Sequence, residues 1–144
     1  MTSNIKRLDS LQWMLRLVYG LVPVIAGTDK FFDVLTNWTQ YVSPSVTRFL
    51  PFSTSTFMHI VGLIEIAAGI IVLSRFTALG AHIVSAWLTL IALSLIMSGH
   101  YLDIAVRDLV MAVGAYTLGV LSETLEESRA GAVTQAEDPV AASA

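Results

Sequence analysis

The chain has 144 residues, of which 55% are hydrophobic and only 13% are charged, whereas ordinary soluble domains have ~25% charged residues. The formal net charge is −3 and no basic patch is present, so the sequence excludes a nucleic-acid-binding protein. The absence of cysteine excludes disulfides, thiol redox chemistry and cysteine-ligated metal within this chain, and we predict no metal site. These properties predict one integral membrane domain surrounded by lipid.

The first predicted membrane helix covers residues 11–27 and follows a polar N-terminal segment, residues 1–10. The apolar run also resembles a signal peptide, but a charge such as Arg16 is unusual inside a signal sequence. We therefore interpret the run as a membrane span that bends near Pro23, where a helical hydrogen bond is lost. Arg16 is expected to extend toward the nearer membrane surface.

An amphipathic segment, residues 31–42, follows the first span. Its apolar side chains recur at helical spacing, and Trp38 and Tyr41 are residue types that favour the lipid headgroup region. The pattern predicts a short helix lying at the membrane interface. The alternative is that the first helix continues outward to Tyr41.

Three further apolar runs are long enough to cross a bilayer. We predict membrane helices over residues 57–73, 78–98 and 101–121, and we expect Trp87 in the third span to serve packing alone. Residues 122–144 form an acidic, alanine-rich tail with too few large apolar side chains to pack, which predicts disorder. The predicted fold class is all-α, a four-transmembrane-helix antiparallel bundle in residues 11–121 with an interfacial amphipathic helix after the first span. The distribution of Lys and Arg places both termini in the cytoplasm.

Charged residues inside apolar runs are costly in a bilayer and usually face the interior of a helix bundle. Glu65 lies in the middle of the second span, among small residues that let a neighbouring helix approach closely. Glu65 and Arg107 lie at similar depth by residue count, so we expect these side chains to contact each other, directly or through water. The candidate binding or proton-handling pocket lies in the half of the bundle away from the termini and consists of Asp29, Lys30, Glu65, Asp103, Arg107 and Asp108.

The formal charges of these six residues, four acids and two bases, sum to −2. Such a surplus of acid predicts water or a polar or cationic ligand beside the cluster. A charged network that only fixes the register of the helices is the alternative. His59 and His100 lie near the same membrane surface, as a bis-imidazole haem would require, but two isolated histidines at membrane boundaries are more often interfacial residues. These residues alone assign neither a cofactor nor a catalytic group.

Three short motifs lie at the ends and centres of the predicted spans: Gly27-Thr28-Asp29-Lys30-Phe31, Gly62 with Glu65, and Asp103 with Arg107 and Asp108. Over residues 11–121 this pattern resembles the DoxX-like family of small bacterial membrane proteins. The resemblance implies a four-helix bundle in the bacterial cytoplasmic (inner) membrane. It also implies a link to redox complexes, since the family takes its name from a subunit of an archaeal thiosulfate:quinone oxidoreductase. A quinone is then a candidate ligand, and the redox role that the resemblance implies gives most weight to Lys30, Glu65, Arg107 and Asp108, although no residue in the sequence identifies a quinone site.

Two functions from different classes remain open. The resemblance implies a non-catalytic or accessory subunit of a quinone-linked membrane redox complex, and the lack of cysteine agrees with a partner subunit rather than a complete oxidoreductase. The alternative, indicated by acids deep in a thin bundle, is a small transporter or proton-linked carrier. Four helices are few for a lone transporter, so that function requires a homo-oligomer. The expected partners are therefore lipids and either a redox-complex subunit or further copies of the chain.

Overall fold

The structure, a computed structural model, describes residues 2–48 and 50–141 as helices and their connections, without a strand. The all-α prediction is therefore confirmed for this part of the chain. A short helix α2, Pro44–Thr47, lies in the connection between the first two long helices. The long helices are α1 (Thr2–Asp29), α3 (Thr54–Leu73), α4 (Thr77–Ser98) and α5 (Leu102–Ala141).

All four long helices have the length and hydropathy needed to span a membrane. Their outer faces carry large apolar side chains; Met97 is 88% exposed and Val110 is 68% exposed. Soluble proteins rarely expose contiguous apolar surface on this scale, whereas lipid tails accept it at no penalty. The described part of the chain thus has four helices that could span a membrane, as expected for a multi-pass membrane protein. These candidate spans cover Ile5–Asp29, Thr54–Leu73, Thr77–Ser98 and Leu102–Val133.

The long helices form two closely packed pairs, α1 with α3 and α4 with α5. Glycines allow the first pair to approach, since a Cβ atom added to Gly62 would lie 2.6 Å from the carbonyl oxygen of Gly27. In the second pair, the Ser85 hydroxyl donates a hydrogen bond to the carbonyl oxygen of Ala112 at 2.9 Å. Small residues at such crossings let helix backbones pack closely in a membrane.

The two pairs meet in the half of the bundle that contains the chain termini, which we name the terminal half. There the Gln12 amide donates a hydrogen bond to the Ser122 hydroxyl at 3.0 Å, and the Tyr19 ring packs against Gly114. The opposite half, with the α1–α3 connection and the α4–α5 turn, is named the loop half. The terminal half also contains a buried cluster formed by Tyr19, Ala68, Val72, Ala81, Val84, Ala115 and Leu118.

Helix α1 is longer than the sequence predicts. It begins at Thr2, so the polar segment 1–10 is part of the helix from that residue onward. Arg16 donates three hydrogen bonds to the carbonyl oxygens of residues 72–74 at the end of α3. The last carbonyl groups of a helix lack intrahelical donors, so Arg16 acts as a cap supplied by a neighbouring helix.

Helix α5 continues beyond residue 121 to Ala141, through the acidic tail that composition predicts to be disordered. Neighbouring side chains explain part of this extension. Leu125 is 3% exposed, and the Arg129 guanidinium lies 2.8 Å from the Asp9 carboxylate on α1. Alanine and glutamate are also strong helix formers. Residues 142–144 of the predicted tail lie outside the described residues.

The α1–α3 connection does not contain the amphipathic α-helix predicted over residues 31–42. Within that segment the structure has one turn of 3-10 helix, Trp38–Tyr41. The Asp29 carboxylate explains the difference, because it accepts hydrogen bonds from two backbone N–H groups of the loop and from the Trp38 indole. These bonds end α1 and hold the connection over the loop half of the bundle.

Candidate functional site

A cavity of ≈ 680 Å³ lies in the loop half, between the α1–α3 pair and the α4–α5 pair. The connection covers it with Trp38 and Tyr41, and Tyr19 and Met111 lie at the end nearest the terminal half. Its lining is predominantly apolar, with a few polar side chains. Small-molecule sites have this composition and volumes of roughly 300–1,000 Å³. The cavity is therefore the candidate binding site.

One wall of the cavity carries a buried ion pair between α1 and α3. The Lys30 ammonium nitrogen lies 2.6 Å from Glu65 Oε2, and the two side chains are only 5% and 11% exposed. The same nitrogen lies 3.7 Å from the centroid of the Trp38 ring, whose negative face attracts a cation. Two charges remain stable at membrane depth here because each neutralises the other.

The direct partner of Glu65 is therefore Lys30, whereas the sequence predicts a contact with Arg107, directly or through water. The glycine crossing is the physical reason. A Cβ atom on Gly62 would lie 2.6 Å from the Gly27 carbonyl oxygen and 3.2 Å from Lys30 Cβ. This close approach brings the end of α1 directly beside Glu65. Arg107 lines the same cavity from α5 and is exposed.

Asp108 lines the cavity from the opposite helix pair. Its residue exposure is 8%, and its carboxylate makes no hydrogen bond within the described part of the chain. It interacts through charge with Arg107 and Lys30. Its carboxylate oxygens are not fully shielded, so a ligand in the cavity can reach them.

A buried donor lies on α4, where the Trp87 side chain lines the cavity. The indole nitrogen is fully shielded and makes no hydrogen bond of normal geometry with any described residue, although it lies beside the Glu65 carboxylate. The sequence analysis assigns Trp87 to packing alone. Its N–H group is the feature that indicates a polar contact, because a buried tryptophan usually has a hydrogen-bond partner for it.

Two of the six predicted site residues do not line the cavity. Asp29 is buried, but its carboxylate bonds the connection and so positions Trp38. Asp103 is exposed in the first turn of α5, where a negative charge complements the helix dipole. Two bases and two acids remain among the lining residues, so the formal charges of the cavity lining sum to zero, whereas the six predicted residues sum to −2. These four residues are Lys30, Glu65, Arg107 and Asp108.

The two histidines considered for haem each have a local partner and neither lines the cavity. The His59 ring stacks on Phe31 with 4.8 Å between ring centroids. His100 Nδ1 lies 2.8 Å from the carbonyl oxygen of Ser98 in the α4–α5 turn. The described residues also contain no group of three or more His, Asp or Glu side chains placed to bind a metal.

No protein-family model, curated protein or solved structure matches the chain in three comparisons. Membership of the DoxX-like family stays a prediction. The chemistry of the cavity is therefore the basis for inferring a function.

Proposed function

We propose that the protein is an accessory subunit of a membrane redox complex and that its cavity binds a molecule of the quinone class. The observation that supports this most strongly is the cavity of ≈ 680 Å³, with an apolar lining and charged groups that sum to zero. A quinone is a neutral ring on an apolar tail, so it suits such a lining. A charged headgroup would leave a net charge at membrane depth, which is unfavourable.

The polar groups of the cavity also suit a quinone ring. Lys30 and Arg107 are hydrogen-bond donors, and the carbonyl oxygens of a quinone only accept. The Trp38 and Tyr41 rings in the cover can pack against a flat ring. In most small-molecule sites, a small number of polar groups in an apolar lining orients the ligand.

The accessory role is supported by the absence of cysteine and by the buried cluster of the terminal half. Without cysteine, electron transfer through thiols or cysteine-held clusters would have to come from a partner. A carrier, the alternative function, needs a path through the terminal half. That half contains the buried cluster with Tyr19 and with Leu118, which is 0% exposed. A carrier would have to repack this core, so we favour the subunit.

The binding proposal predicts that the purified protein in lipid nanodiscs binds a short-tailed quinone such as decylubiquinone, measured by calorimetry. Ser94→Phe should weaken binding by about tenfold or more, because Ser94 lines the cavity and the ring would occupy ligand volume. Val110→Phe is the matched control, since Val110 is 68% exposed on the outer face of α5. Absence of quinone binding, or equal binding by both variants, would contradict the proposed site.

The accessory role is tested separately, on protein taken from its native membrane. Extracted from its own membrane in a mild detergent, the chain should co-purify with a redox subunit in fixed stoichiometry. A stable homo-oligomer without such a partner would instead support the carrier.

We further propose an antiparallel bundle in a bacterial cytoplasmic membrane with both termini in the cytoplasm. The positive-inside rule supports this topology. Lys30 is buried in an ion pair, so Arg48 is the basic residue on the loop side to which this rule applies. An alkaline-phosphatase fusion after the last residue should be inactive, and periplasmic activity of that fusion would reverse the topology. The basic residues on the terminal side are Lys6, Arg7, Arg75 and Arg129.

A further inference from the structure

We infer that the cavity binds the reduced, dihydroxy form of its quinone-class ligand more tightly than the oxidised form, because Asp108 requires a hydrogen-bond donor from the ligand. The inference rests on the proposed function and names the redox state that the same site prefers. It depends on Asp108, a cavity carboxylate that accepts no hydrogen bond from any described residue.

The position of Asp108 gives it no donor from the protein. It lies roughly 9 Å from the start of α5, on the face that packs against α4. Its neighbours on that face, Ala105 and Ala112, are 0% and 4% exposed and have no polar side-chain atom. The residue is 8% exposed, lines the cavity, and makes no hydrogen bond with any residue that the structure describes. Its carboxylate oxygens are not fully shielded, so a donor that enters the cavity can reach them and gains a strong, charge-assisted bond.

The Trp87 indole does not take part in this preference. Its nitrogen is fully shielded and lies beside the Glu65 carboxylate, so a ligand in the cavity does not reach it. A ligand that satisfies Asp108 must donate a hydrogen bond to the carboxylate.

The two redox forms of a quinone differ in this respect. The carbonyl oxygens of the oxidised form would lie against the Asp108 carboxylate with no proton between them. A hydroxyl of the reduced form donates, so it can pair with the Asp108 carboxylate. The apolar lining and the tail are common to the two forms, so the difference in affinity arises at Asp108.

The test compares three probes of one tail length by calorimetry on the full chain in nanodiscs under anaerobic conditions. The probes are decylubiquinol, decylubiquinone and the dimethyl ether of decylubiquinol, which keeps the reduced ring but has no donor. Wild type should bind the quinol about tenfold or more tighter than either other probe. Asp108→Leu should bring the quinol-to-ether affinity ratio close to one and leave quinone binding intact. Asp103→Leu, an exposed acid on the same helix, should keep the wild-type ratio.

The outcomes separate this inference from the proposed function. Equal binding of the three probes to wild type would overturn the preference for the reduced form while the quinone site stands. Tighter binding of the quinone would mean that Asp108 donates as a protonated acid, which also overturns it. Binding of none of the probes would contradict the proposed function as well. If Asp108→Leu does not fold, the comparison of quinol with ether on wild type still decides the question.

Discussion

Replacing Lys30 with methionine is expected to lower the free energy of unfolding by about 3–5 kcal/mol, because removal of one partner leaves a buried charge without compensation. The charge in question is the Glu65 carboxylate, which lies 2.6 Å from the ammonium and is only 11% exposed. Unfolding in a detergent titration, followed by circular dichroism, gives the difference. This is the largest single-residue effect that we expect in the cavity.

Two controls separate the ion pair from general sensitivity of the fold. The double variant with Lys30→Met and Glu65→Leu should recover most of the stability, because a well-packed apolar pair often replaces a buried ion pair without loss. Arg129→Met should change stability by less than ~1 kcal/mol, since its pair with Asp9 is largely exposed. A double variant no more stable than Lys30→Met would show that the pair is not the source of the effect.

The second large effect is expected at the crossing of α1 and α3. Gly62→Val should abolish most of the folded protein, because the first added carbon would lie 2.6 Å from the Gly27 carbonyl oxygen. Overpacking typically costs ~1–3 kcal/mol. Here the obstacle is backbone, so the helices must separate, and separation also breaks the Lys30–Glu65 pair. The yield of monodisperse protein in size-exclusion chromatography measures the loss.

Gly131→Val is the matched control for this substitution. A Cβ atom at Gly131 would meet no atom within 4 Å, so the variant should elute and unfold like wild type. Gly62→Ala provides an intermediate step, with a smaller but measurable loss. Wild-type stability of Gly62→Ala would contradict the close crossing and, with it, the reason why Lys30 reaches Glu65.

The positions of the membrane helices could be predicted from the sequence because length and apolar composition are properties of each segment by itself. The predicted spans 57–73 and 78–98 correspond to helices Thr54–Leu73 and Thr77–Ser98. The ends of α1 and α5 could not be predicted in this way. They depend on bonds to other helices, such as that between Arg129 and Asp9.

The sequence also determined which charged side chains need a partner inside the bundle, because a charge within an apolar run is costly in a membrane. It selected six residues, and four of them line the cavity together. Only the tertiary structure decided which of these charges meet. Counting residues gives depth along one helix, and on that basis Glu65 was level with Arg107. Which side chains are neighbours across the bundle depends instead on which helices cross closely. The crossing at Gly27 and Gly62 places Lys30 beside Glu65. Asp108 faces the cavity without a hydrogen-bond partner among the described residues.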